Sequence, residues 1–226
     1  MVLWTMIFLP LIFTALPLVM LYVTGMGMDE LNSAAAADVP AGFLSECGDS
    51  ITAGECMQIY VVNEFLLLFM MIPVIIPVTI AAYSIVGEKT THSLEPLLAT
   101  PITTAELLAG KSLAAALPAI FVGWVSFVVF LIALPLIGVS RAVIGYIAGP
   151  TWLLAIFVGG PLMAIAAVNF SLFVSSRVND PRVAEQISAL LIIPILGLVF
   201  AQLAGLIVIN IMVMLSFIGG MALLDV

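Results

Sequence analysis

Apolar residues run without two-residue alternation through long stretches at about Val2–Val23, Ile59–Val86, Leu113–Ile137, Thr151–Val174 and Ile187–Ile209, and another begins near Ile211. About 20 such residues cross roughly 30 Å of hydrocarbon as a helix. Backbone polar groups in lipid must be bonded internally, which leaves helices or closed barrels. Barrel strands would alternate polar and apolar positions. The pattern therefore predicts an all-α polytopic membrane protein, a single domain over residues 1–226, with six transmembrane helices. The last is incomplete, because residues 211–226 make only about 24 Å of helix. This predicts a chain cut short at its C-terminus. The first span lacks a basic flank, which extends the same expectation to the N-terminus. A signal peptide needs a positive leader and a short apolar core. Neither is present before Tyr22, so the first run is taken as a span.

Between the spans lie a polar loop at 24–58, a charged segment at 87–112, a short connector holding Arg141, and a second polar loop at Ser175–Gln186. With alternating spans, Lys89, Lys111, Arg177 and Arg182 fall on one side and Arg141 on the other, which makes the first side cytoplasmic. The 24–58 loop is then external. It is rich in acids (Asp29, Glu30, Asp38, Glu46, Asp49, Glu55) and carries no Lys or Arg. Cys47 and Cys56 both lie in it. An external compartment permits a disulfide between them, with two free thiols as the alternative.

The segment from Gly87 to Lys111 is the most organised polar stretch. Ser93 can cap a short helix with Pro96 in its first turn. Leu94, Leu97 and Leu98 share one face of that helix. Thr100-Pro101 ends it. Thr103 and Glu106 then form a capping box, and the second helix runs through Lys111 into the third span. One alternative is a helix lying on the lipid surface. Such helices are rich in Lys and Arg, whereas this one carries Glu95 and no base between His92 and Lys111, which favours docking to protein. The sequence Ala105-Glu106-Leu107-Leu108-Ala109-Gly110-Lys111-Ser112 imitates a phosphate-binding loop. It lacks the preceding strand and the glycine-rich turn that expose converging N–H groups, so it is read as helix.

Composition sharpens this picture. The chain is 64% hydrophobic and 8% charged, with a mean hydropathy of +1.35 that excludes a soluble domain. The net charge of −8 says little about a nucleic-acid partner, because the acids crowd one loop; no nucleic-acid partner is expected. His92 is the single histidine, so neither a histidine metal cluster nor a Ser-His-Asp arrangement can be built. Ion-coupled carriers place ionisable groups inside the membrane. Spans three to five hold none, and Glu64 is expected near the external boundary of span two. Asn169, Gln202 and Asn210 are expected to bond across helices rather than line a path. Prolines inside the spans, among them Pro10, Pro73, Pro118 and Pro161, provide kinks.

Gly87-Glu88-Lys89, Leu94-Glu95, the run from Leu97 to Ile102, Glu106-Leu107-Leu108 and Gly110-Lys111 together resemble the cytoplasmic signature of ABC-2 type transporter permeases. Ile187-Ser188-Ala189-Leu190-Leu191 with Pro194, and Gln202-Leu203-Ala204-Gly205, are similar to span five in one branch of that family. The resemblance implies a permease subunit of an exporter in the plasma membrane. It further implies a chain that is not itself an enzyme and that pairs as a homodimer or heterodimer of permeases. A separate ATPase on the cytoplasmic face would bind the ATP and magnesium, so this chain carries no cofactor. The resemblance also implies that the helix around Ser93–Thr100 couples to the ATPase. The coupling residues expected on that basis are Glu88, Lys89, Ser93, Leu94, Glu95, Leu97, Leu98 and Glu106. His92 and Pro96 depart from the family's more usual residues, and the amphipathic helix that precedes span one in the family is missing. The alternative is a membrane scaffold or assembly factor that docks another cytoplasmic protein through residues 93–111.

Overall fold

The computed structural model describes residues 2–26, 43, 47, 51–90 and 103–224. Every regular element among them is helical: α1 Val2–Met26, α2 Ala53–Phe69, α3 Ile72–Thr90, α4 Thr104–Leu136, α5 Arg141–Ile147, α6 Pro150–Leu154, α7 Gly160–Arg177, α8 Pro181–Ser188, α9 Ile192–Leu203 and α10 Ile211–Leu224. Five stretches are long and apolar enough to cross a membrane, and α10 is a shorter apolar helix.

The sequence sets where these helices start and break. Thr52 accepts from the Glu55 N–H and its own N–H donates to the Glu55 carboxylate, so α2 begins at Ala53, well before the apolar run. Pro73 cannot donate to the Phe69 carbonyl and its ring crowds that carbonyl. The second span accordingly divides at Met70–Met71, where tighter bonds from Met70 to Leu67 and from Met71 to Leu68 satisfy the turn. The fourth span carries a wide π turn at Ala155–Gly159. In that register the Ile156 carbonyl would take its bond from residue 161, which is proline. The Trp124 indole N–H fills the gap at 3.2 Å.

The third span follows expectation and the fifth departs from it. The third is one unbroken 33-residue helix whose capping box is in place at Thr103. At about 50 Å it exceeds the hydrocarbon thickness, so its first turns stand outside the lipid. The fifth span ends at Leu203 rather than near 209, because Gly205 adopts φ 68° and turns the chain. Asn210 then caps α10 by accepting from the Met212 and Val213 N–H groups. This corrects the expectation that Asn210 bonds across helices.

The centre of the bundle is α3, packed against α4, α7 and α8. Small residues make the close approach: Ala81, Ala82, Ala115, Ala116, Ala164 and Ala184 are all buried. In lipid the association of helices rests on such packing and on hydrogen bonds between helices. Elsewhere in the bundle α2 packs against α1, α5 and α9. There Cys47 and Cys56 are joined by a disulfide, with Cα atoms 5.7 Å apart.

Candidate functional site at the cytoplasmic end

The end of α3, the start of α4, the end of α7 and α8 converge at one end of the bundle, and they bring Lys111, Arg177 and Arg182 to the side that the charge distribution makes cytoplasmic. The start of α4 is held in two ways. Thr103 and Glu106 close the capping box, with the Thr103 N–H donating to Glu106 at 2.9 Å and the Thr103 hydroxyl at 2.7 Å. Farther along, the Lys111 ammonium donates to the Ser84 carbonyl of α3 at 3.2 Å. This bond ties the two helices that flank the segment 91–102.

A second seam holds α3 to α7. The Ser171 hydroxyl donates to the Val78 carbonyl at 3.3 Å, and one turn on, Ser175 donates to the Ala82 carbonyl at 3.0 Å. The Ser175 oxygen also accepts from the Val86 N–H at 3.2 Å. Ala82 and Val86 are an i, i+4 pair, so the hydroxyl bridges one rung of the α3 ladder. Both serines are fully buried. Ser175→Val is expected to lower stability by about 1–3 kcal/mol, since it removes the bridge and adds volume to a packed seam. Unfolding of the purified protein in mixed micelles measures this. Wild-type stability in the variant would show that α3 and α7 are not joined through Ser175.

Of the expected coupling residues, Glu106 is exposed and committed to the cap. Glu88 and Lys89 lie in the last turn of α3. Ser93, Leu94, Glu95, Leu97 and Leu98 lie outside the described residues. The stretch read as a second polar loop, Ser175–Gln186, is instead the end of α7 followed by α8, and this corrects the sequence reading. Its signal was local: Asp180 accepts from the Arg182 N–H as the cap, with Pro181 as the first helical residue. In α8, Ala184 and Ser188 face the bundle while Arg182, Val183, Gln186 and Ile187 are exposed. The helix thus adds an amphipathic element beside the end of α3. Arg177 lies over the Phe173 ring at 5.2 Å.

Within the membrane part, α3, α7, α9 and α10 line a partly open cavity of about 400 Å³. Its walls include Val74, Met163, Phe170, Ile195 and Phe217, with Asn169 as a polar group at the margin. Asn169 is exposed at this cavity.

The family model described as "ABC-2 family transporter protein" matches residues 1–225. Comparison with curated proteins and with solved structures gives no match.

Proposed function

The chain belongs to the ABC-2 transporter family, and from that premise we propose that it is the membrane permease subunit of an ATP-driven exporter, served by a separate ATPase that docks on the cytoplasmic face. It is a multi-pass protein of a cell membrane. The docking element in this reading is the segment from Ser93 to Lys111, with Leu94, Leu97 and Leu98 as the apolar face and Glu88, Lys89, Glu95 and Glu106 around it.

One observation carries the reading of how force would enter. The helix Thr104–Leu136 begins outside the hydrocarbon at a fixed cap and continues without interruption through the membrane. A push on its cytoplasmic start is carried along the helix, because a hydrogen-bonded helix is stiff along its axis, with Pro118 and Pro135 as the points where it can bend. Lys111 and the serine seam pass the same push to α3 and α7. Two permease copies that separate in this way would open a path along their interface. The apolar cavity beside Asn169 suits a cargo with a hydrocarbon part.

The test is co-purification. The full chain, expressed with a candidate ATPase that carries a full phosphate-binding loop, is expected to retain that ATPase through detergent extraction. It is also expected to alter the ATPase's ATP hydrolysis when reconstituted in lipid. An ATPase that neither co-purifies nor changes its rate would remove the exporter reading. The scaffold reading predicts retention of some other cytoplasmic protein.

A further inference from the structure

The sequence placed Glu64 near the external boundary, where water would solvate it. The structure buries it instead, at 9% exposure on α2. Both carboxylate oxygens lack a hydrogen-bond partner among the described residues. Across the seam, Gln202 on α9 is 2% exposed, and its amide oxygen and nitrogen are unpartnered in the same way. The two side chains lie near each other without a hydrogen bond between them. A buried carboxylate requires a counter-charge or a full set of donors.

No such counter-charge is at hand among the described residues. Helix α9 has no titratable group, and α1 contributes only Tyr22, which is exposed. Helix α5 contributes Arg141, which is exposed, and Tyr146, whose hydroxyl donates to Asn63 at 3.4 Å. Tyr60 lies one turn before Glu64 on α2 itself. An ionised Glu64 has acceptors only. It could take the Gln202 N–H bonds but would leave the Gln202 oxygen facing a second negative atom. One proton resolves all four orphaned atoms. The acid O–H donates to the amide oxygen and the amide N–H donates to the acid carbonyl, which makes two bonds in a ring.

We infer that Glu64 and Gln202 form a buried proton-binding site at the α2–α9 seam, with the Glu64 carboxylic acid paired to the Gln202 amide while the seam is closed. The carboxylate takes its proton from water as the seam closes. It returns the proton to water when the seam parts, and Gln202 stays neutral throughout. The site does not depend on the ATPase reading, because it lies on the external half of the bundle and is complete within one chain.

Infrared spectroscopy of the full chain in lipid nanodiscs at neutral pH tests this. A protonated-carboxyl C=O band is expected in the wild type and absent in Glu64→Gln. The band is expected to shift in Gln202→Leu, which cannot accept the bond. Should Gln202→Leu not accumulate, Gln202→Asn shortens the amide by one methylene and is expected to shift the band in the same direction. Glu64→Gln keeps a neutral amide able to pair with Gln202 and is expected to retain wild-type thermal stability. If Glu64→Gln removes no such band, or if the band is unmoved by the Gln202 variants, the proposal is overturned. A carboxylate signal that depends on sodium or potassium would likewise overturn it, in favour of a metal cation.

Discussion

Trp152→Ala is expected to lower the stability of the bundle by about 3 kcal/mol. Trp152 sits on α6 and is fully buried, and truncating such a residue costs about 3–5 kcal/mol in water-soluble cores. In lipid the transfer gain between helices is absent. What remains is the lost dispersion around an indole-sized hole, which places the expectation at the low end. Trp152→Phe separates shape from polarity. The indole nitrogen has no hydrogen-bond partner among the described residues, so removing it while keeping a ring is expected to cost under about 1.5 kcal/mol. Denaturant titration of purified protein in mixed micelles gives both values. A loss below about 1 kcal/mol for Trp152→Ala would mean that the core around α6 is not packed as described.

The second large effect lies at the proposed docking segment. Leu97→Asp and Leu98→Asp are each expected to weaken retention of the ATPase about 30-fold, the equivalent of the roughly 2 kcal/mol carried by a central interface residue. A carboxylate on that face would be desolvated by any apolar groove that receives it. Insertion and thermal stability of the permease alone are expected to be unchanged, because the sequence pattern puts the segment between apolar spans. Glu106→Ala is the contrasting control. It loosens the cap of α4 by about 1 kcal/mol while leaving the leucine face intact, so its effect on retention is expected to be smaller. Unchanged ATPase retention in both leucine variants would remove residues 93–98 from the docking surface.

The two effects differ in how far the sequence foretold them. The capping box at Thr103 and Glu106 was legible because all of its atoms come from four consecutive residues, and the structure places its bonds as expected. The leucine face is likewise read from local periodicity, on residues that lie outside the described ones. Helix α8 was missed although Asp180-Pro181 announces it, because its polar composition suggested a loop. The Ser171 and Ser175 seam left no local trace. Its partners on α3 stand 93 positions away in the chain, and a serine inside an apolar run has many carbonyls it could choose.

Glu64 is the clearest case of a property that tertiary packing alone decides. Position along α2 put it near the external boundary. Burial came from α9 closing over it with Gln202, and from α1 and α5 packing on the same helix.

By itself the sequence determined that the chain is helical, that it crosses a membrane several times, where its polar segments lie and which side carries the basic residues. These follow from the run length of apolar residues and from solvation costs that each segment meets alone. The tertiary structure decided which helices touch, which carbonyls the seam serines serve, where the cavity opens and which carboxyl loses its water. Those depend on the surfaces of other helices, and no single segment contains them.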